Sequence, residues 1–231
     1  PDDGNPGLEE FNRFIETNRE TIVFALNTGR SVDEVASVAE NGPIIRPDWL
    51  ACGVGTSLYS GFTPDTLHEG WDREVRKDWP REEIRRALEG CPGIREQEAW
   101  NQHAARLSYY FDSPVAEVMP EALARVEPWS KGIKTVVCLE YYLDFMPTWA
   151  GKGGTADYLA ALLGIPRSRV IVAGDSGNDL DMLERGFKPI VVANHADDLS
   201  DFVTKPGVFR STRPAAAGVL EGLAHYGAIA R

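Results

Sequence analysis

The stretch Val172-Ala173-Gly174-Asp175-Ser176-Gly177-Asn178-Asp179 constrains this chain more than any other. The run leading into it, Arg169-Val170-Ile171-Val172-Ala173, is short, β-branched and apolar on both faces, as a strand buried in a parallel sheet must be. Beyond it, Leu180, Met182 and Leu183 open a helical apolar pattern towards Gly186. The chain therefore passes from strand to helix with Asp175 at the strand's carboxyl end, the edge where open α/β sheets bind ligands. A single Asp or Asn there would be an ordinary cap or turn residue. Two carboxylates four residues apart, with Asn178 between two glycine-bearing turns, are costly as packing and read as a metal and phosphate site. An EF-hand loop is excluded, because its third position would be Gly177 and its obligatory sixth glycine is Leu180.

Two upstream segments carry compatible chemistry. The apolar run from Thr21 ends in Thr28-Gly29-Arg30, and Ser31 with Glu34 forms a capping box that opens a helix. A hydroxyl and free backbone N–H groups at a strand-to-helix junction make a seat for phosphate. Further on, Gly151-Lys152-Gly153-Gly154 precedes an amphipathic helix closed by Gly164. Lys152 then sits at a helix N-terminus, where the macrodipole disfavours a cation, so it needs an anion beside it.

Gly-Asp-Ser-Gly-Asn-Asp after a buried strand resembles the acidic metal motif of the haloacid dehalogenase superfamily of phosphatases. Thr28, Lys152, and Asp175 with Asp179 follow the order of that superfamily's second, third and fourth motifs. The resemblance implies phosphate monoester hydrolysis through an aspartyl-phosphate intermediate. It makes Thr28, Lys152 and Asp179 catalytic, and Thr28, Gly29, Arg30, Lys152 and Asn178 the phosphate contacts. It also makes Asp175 and Asp179 the ligands of Mg²⁺, with Asp179 placed to orient Lys152 or a metal-bound water. The first motif of the superfamily, an Asp-x-Asp pair after a hydrophobic strand, supplies the nucleophile. Asp2 and Asp3 are adjacent, lie among Pro and Gly and follow no strand, so they take no catalytic role here. The first strand and its motif are expected upstream of residue 1, in a segment the numbered sequence omits. The alternative is a non-catalytic relative that binds a sugar phosphate without turnover.

Within the superfamily the chain is most similar to the sucrose-phosphate phosphatases and related sugar phosphatases. The resemblance rests on Ala25-Leu26-Asn27-Thr28-Gly29-Arg30-Ser31, on Pro47-Asp48-Trp49-Leu50 leading to Val54-Gly55-Thr56-Ser57-Leu58-Tyr59, on Leu107-Ser108-Tyr109-Tyr110-Phe111-Asp112, on Asp144-Phe145-Met146-Pro147 before Lys152, and on Ala217-Gly218-Val219-Leu220. It covers nearly the whole chain and implies sucrose 6-phosphate, or another glycosyl phosphate, as substrate. The chain departs from that family at Trp149-Ala150-Gly151 and at Ser57, positions that bear on the sugar and not on the chemistry.

Thr28 and Lys152 stand over a hundred residues apart, far more than a βα unit needs, so a separate unit is inserted between them. The expected fold is α/β, a Rossmann-like parallel-sheet core with helices on both faces, formed by 1–56 and 148–231, with an inserted α+β cap at 57–147 of the kind found between the superfamily's second and third motifs. Inside the cap the patterns predict helices at 67–79, 80–88 and 115–126, and strands at 106–111, 133–139 and 142–145. Arg106, Ser108 and Tyr110 then share one strand face by period-two alternation and are candidate sugar contacts. Trp71, Trp79, Trp100, Tyr109 and Tyr110 could stack on a sugar, but core burial is the expectation for most of these aromatics. Of the four histidines, none with metal-ligand spacing, only His195, after Asn194, falls at a strand end near the site.

A net charge of −11 over 231 residues argues against nucleic-acid or anionic membrane partners, which need a basic footprint. Cys52, Cys91 and Cys138 are too few and too scattered for a disulfide framework or a zinc site, so a reducing cytoplasm is expected. No run reaches the length of a membrane span. No Gly-x-Gly-x-x-Gly follows a strand, which disfavours a dinucleotide binder. The expected partner is a small sugar phosphate.

Overall fold

The computed structural model describes residues 5–42 and 45–229, which divide into two compact units. One is built from the chain up to His68 together with the chain from Lys152 onward, the other from Glu69–Gly151. Asp2 and Asp3 lie outside the described residues.

The first unit begins with helix α1 (Leu8–Thr17), strand β1 (Ala25–Asn27), helix α2 (Val32–Asn41) and strands β2 (Trp49–Cys52) and β3 (Ser57–Tyr59). Strand β1 pairs parallel with β2, Leu26 opposite Leu50, and β2 pairs antiparallel with β3. Leu50 and Cys52 of β2 pack with Val32 and Val35 of α2 and with Phe62. Burial pushes the Cys52 thiol up to about 12, which makes it an inert core residue. The apolar pattern from Thr21 predicts a strand throughout, but only its end pairs. Asp48 takes over the earlier part, its carboxylate accepting from Phe24 N–H at 2.8 Å while its own N–H donates to Phe24 C=O at 2.8 Å.

The second unit contributes helices α3 (Glu69–Arg76) and α4 (Arg81–Leu88), strands β4 (Ile94–Glu96) and β5 (Leu107–Phe111), helix α5 (Val115–Val126), and strands β6 (Ile133–Cys138) and β7 (Tyr142–Pro147). The sheet is antiparallel throughout, in the order β4-β5-β7-β6. Alternation splits it into two faces. Leu107, Tyr109, Phe111, Leu143 and Phe145 pack against Ile84 and Leu88 of α4 and against Val118, Ala122 and Val126 of α5. Ser108 and Tyr110 point the other way, opposite Asp144 and Tyr142. Trp71 and Tyr109 are buried as expected, whereas Trp100 is 78 % exposed.

The chain then forms helix α6 (Gly151–Leu162), strand β8 (Ile171–Gly174), helix α7 (Leu180–Leu183), strands β9 (Lys188–Val191) and β10 (Phe209–Arg210), and helix α8 (Ala215–His225). These strands make a parallel sheet in the order β10-β9-β8. On β9, Val191 packs with Met182 and Leu183 of α7, while a Cβ on Gly222 of α8 would strike Ile190 at 2.4 Å. Neighbouring strand residues face opposite ways, so helices cover both faces of this sheet. The first-turn amides of α8 are satisfied from outside it, Ala215 N–H by Asn194 Oδ1, Ala216 N–H by Asn5 Oδ1 and Ala217 N–H by Pro6 C=O. No helix among the described residues is long and apolar enough to cross a membrane.

The capping box read from Ser31 and Glu34 forms: Glu34 N–H donates to Ser31 Oγ, and Glu34 Oε2 accepts from Ser31 N–H at 2.7 Å. That backbone hydrogen bond holds the Glu34 carboxyl below its ordinary range. A lowered folded pKa contributes stability that is complete above the ordinary carboxylate range and is lost as pH falls through the lowered value. Ser31→Ala should cost about 1 kcal/mol at neutral pH. Urea midpoints at pH 7 and pH 3 check both statements. Ser31→Ala at pH 7 reads the lost hydroxyl cap, while Glu34→Gln, which removes the charge and keeps Ser31 N–H, should differ from the native protein less at pH 3 than at pH 7. An undiminished difference would detach the pH dependence from Glu34.

Candidate active site

The loop after β8 folds back on its own second carboxylate. Asp179 Oδ2 accepts from Asp175 N–H at 3.0 Å and from Ser176 N–H at 3.3 Å, and Ser176 caps the short 3-10 turn Gly177–Asp179. So tight a turn needs glycine at its start, since a Cβ on Gly174 would lie 2.5 Å from Asp179 Cβ. The other oxygen, Asp179 Oδ1, accepts from Lys152 Nζ at 2.5 Å. Lys152 also donates to Asn178 Oδ1 at 3.0 Å.

Lys152 and Asp179 are 6 % and 4 % exposed. A buried ion pair persists only when its remaining hydrogen-bonding capacity is filled, and here backbone amides and Asn178 supply that. The anion that Lys152 requires at its helix N-terminus is thus Asp179.

Asp175 is placed differently. It is exposed at the end of β8; its N–H serves Asp179 and its C=O accepts from Ala196 N–H at 2.7 Å. Among the described residues no hydrogen bond or ion pair engages its carboxylate, and no group of three or more His, Cys, Asp or Glu is arranged around a common cation position. An oxygen ligand of this kind suits a hard cation. Asp175 therefore fits as a ligand. Asp179, read from the sequence as a second one, does not: both its oxygens are committed to Lys152 and to backbone amides, and it acts on Lys152 instead.

Thr28 caps the end of β1. Its N–H donates to Ala51 C=O at 2.9 Å, its C=O accepts from Val54 N–H at 3.0 Å, and its Oγ1 accepts from Arg30 N–H at 3.2 Å. The hydroxyl proton is left to point away from that turn as a donor. Gly29 and Arg30 are exposed beside it. Asn27, one residue earlier, links this strand to the lysine, its Nδ2 donating to Lys152 C=O at 2.9 Å. Hydrogen bonds thus join Lys152, Asn178, Asp179 and the Asp175 N–H at the carboxyl end of β8, and Asn27, the residue before Thr28, ties the end of β1 to Lys152. His195 is not part of it and turns its Nδ1 to Ala196 C=O.

The three sugar candidates belong to the second unit. Ser108, 1 % exposed, donates from Oγ to Asp144 Oδ1 at 2.6 Å, and Arg106 Nε lies 3.8 Å from the same oxygen while Nη2 donates to Asn101 C=O. Tyr110 goes elsewhere, its hydroxyl donating to Glu98 Oε2 at 2.8 Å and its ring lying beneath Arg95 at 4.6 Å. Asp144, which gathers Arg106 and Ser108, is a residue that sequence reasoning misses. The signal for it is a carboxylate in the middle of the apolar strand Tyr142–Pro147.

A sequence model of the sucrose-6F-phosphate phosphohydrolase family matches residues 2–227. The chain belongs to that family. Its members are haloacid dehalogenase-type phosphoric monoester hydrolases, so the resemblance read from the motifs holds. The chain is 28 % identical to the mannosylfructose-phosphate phosphatase of Agrobacterium fabrum, covering 89 % of this chain and 83 % of that one. It is 27 % identical to sucrose-phosphatase 1 of Nicotiana tabacum, covering 97 % of this chain but 55 % of that one, so it spans about half the length of the tobacco protein. The fold is shared with the sucrose-phosphatase of Synechocystis, solved in complex with sucrose and phosphate, at a TM-score of 0.85 and 22 % identity over 96 % of this chain and 91 % of that one.

Proposed function

We propose that this chain handles phosphate in a Mg²⁺-dependent phosphatase that hydrolyses a sugar phosphate monoester, sucrose 6-phosphate first. The observation that carries the reading is a buried lysine ammonium, held by Asn178 and Asp179, beside an uncommitted carboxylate at Asp175. The Thr28 hydroxyl, the Gly29 N–H and the Arg30 guanidinium would seat the phosphoryl oxygens, and Lys152 would stabilise the charge that spreads over them in the transition state. Asn178 and Asp179 keep the ammonium aimed. Asp175 would hold Mg²⁺, which when bound supplies Lewis-acid neutralisation of those oxygens.

The attacking carboxylate is assigned to an Asp-x-Asp strand pairing with β1 and β8, each of which is hydrogen-bonded along one edge only among the described residues. Strands buried in parallel sheets are normally covered, yet Val23 just before β1 is 44 % exposed and Ala25 within it is exposed as well. As the carboxylate–phosphorus bond forms, the phosphorus–oxygen bond to the sugar breaks and the sugar oxygen takes a proton from the second carboxyl of the Asp-x-Asp pair. Water, giving its proton to that same group, then hydrolyses the aspartyl phosphate to free carboxylate and inorganic phosphate.

We assign the unit Glu69–Gly151 the role of cap, with Arg106, Ser108 and Tyr110 reading the sugar. A second reading, phosphorylated mannosylfructose as substrate, is favoured by the name of the Agrobacterium relative. A screen of the full-length protein on both disaccharide phosphates, hexose phosphates and an aryl phosphate decides between them. Tyr110→Ala should lower kcat/KM for the preferred disaccharide phosphate by about tenfold more than for the aryl phosphate, the signature of a contact made only to the sugar. Equal losses on both would assign Tyr110 to folding, and no turnover of any phosphate would leave a binding protein.

A further inference from the structure

The peptide unit joining Lys152 to Gly153 is gripped at both poles. Its carbonyl oxygen accepts from Asn27 Nδ2 at 2.9 Å, and its N–H donates to Asp181 Oδ2 at 2.9 Å. Gly153 N–H belongs to the first turn of α6, where a helix provides no partner of its own, so the bond to Asp181 completes the helix from outside. The negative charge also suits the positive end of the helix dipole, which the lysine does not.

Asp181 is itself held. Arg185 Nη2 donates to its Oδ1 at 2.7 Å, Arg185 Nε donates to its C=O at 3.2 Å, and Arg185 Nη1 returns to Asp157 Oδ2 on α6 at 3.2 Å. The brace therefore runs from α6 through Asp181 and Arg185 back to α6. It also demands a glycine, because a Cβ on Gly153 would lie 2.3 Å from Asp181 C=O. At the opposite pole, Asn27 Oδ1 is buried with no hydrogen-bond partner among the described residues, so what the side chain does there is done by its amide nitrogen.

We propose that Asn27 and Asp181 are positioning residues that fix the Lys152–Gly153 peptide and through it aim the lysine ammonium at the phosphoryl group. A lysine stem has four rotatable bonds. With its head tied to Asn178 and Asp179 but its root loose, it would sample many positions; with both ends fixed it holds one. The proposal rests on the phosphatase reading given above, and its test separates the two.

The full-length protein, Asp181→Ala, Asp181→Asn and Asn27→Ala are treated with acetic anhydride, and acetylation of Lys152 relative to the exposed Lys131 is followed by peptide mass spectrometry. This readout needs no turnover. Asp181→Ala and Asn27→Ala should each raise the relative rate at Lys152 by roughly fivefold or more, because loosening the peptide lets the buried ammonium escape. Asp181→Asn keeps an oxygen acceptor for Gly153 N–H and should recover most of that change. In parallel, kcat on the preferred sugar phosphate should fall by on the order of 10- to 100-fold in the Ala variants, with KM little altered and with the Asn variant again recovering most of the loss. Unchanged Lys152 rates in both Ala variants would overturn the proposal, as would raised rates with unchanged kcat, or an Asn variant no better than Ala. Where Asp181→Ala does not fold, Asn27→Ala alone decides. A native protein that hydrolyses no phosphate monoester would refute the functional reading, while the acetylation rates still decide whether the clamp exists.

Discussion

Replacing Lys152 with Met should lower kcat on every phosphate monoester by on the order of 100-fold or more, the usual loss when a preorganised charge-stabilising donor is removed. The same change should also destabilise the fold, because Asp179 stays buried and negative with only two backbone amides to hold it. Breaking a buried pair from one side costs roughly 3–5 kcal/mol. The two effects separate in the double variant Lys152→Met with Asp179→Asn. Neutralising Asp179 removes the stranded charge, so the melting temperature should recover while kcat stays low. A double variant that regains both would make Lys152 a structural residue whose loss had only loosened the loop. A folded single variant with native kcat would remove it from the chemistry altogether.

How much of this site is legible in the sequence follows from where its bonds lie along the chain. The Gly174–Asp179 turn closes within six residues, so its glycines, its capping serine and its carboxylates are visible as one motif. The Ser31–Glu34 box is visible for the same reason. Asn27 and Asp181 are not, because their partners on Lys152 and Gly153 lie far away in sequence and neither residue type is unusual where it stands. Nor can the sequence say which carboxylate of the Asp175/Asp179 pair turns inward. That is decided by backbone N–H groups that become available only once the loop has closed.

The same distinction holds for the fold. Helix α5 has the length its periodicity predicts and β7 falls close to its pattern, since each buries at least three residues, while β6, with Ile133 buried, follows by pairing with β7 along its whole length. Strands β4 and β10, of three and two residues, carry too few alternations to register and exist because a longer neighbour offers an edge. Helix α7 stops at Leu183, before Gly186, where Arg185 N–H turns to the nearer Met182 C=O in an i−3 bond. In the second unit, the common face of Arg106 and Ser108 is legible from period two, but their shared partner Asp144 sits on β7 and depends on strand pairing.

Asp175→Asn should abolish cation-dependent turnover in the full-length protein while leaving the melting temperature of the cation-free protein nearly unchanged. The asymmetry with Asp179 follows from burial. The Asp175 side chain is exposed and carries no hydrogen bond or ion pair among the described residues, and both bonds it makes within the loop come from its backbone, which Asn preserves. Surface substitutions of that kind stay within about 0.5 kcal/mol. An amide, by contrast, is a neutral and weaker oxygen ligand for a hard divalent cation, so the concentration of Mg²⁺ needed for half-maximal activity should rise by on the order of 100-fold, if activity is detectable at all. Thermal shift gives a second readout, independent of turnover. Mg²⁺ should raise the melting temperature of the native protein, as any ligand confined to the folded state must, and should do so much less in Asp175→Asn. Asp179→Asn makes the contrast complete: it loses stability without added cation and keeps the Mg²⁺-induced shift, because its oxygens serve the lysine and not the metal. Native Mg²⁺ dependence in Asp175→Asn would exclude that carboxylate as a direct ligand and reopen the question of which oxygen at the end of β8 meets the cation.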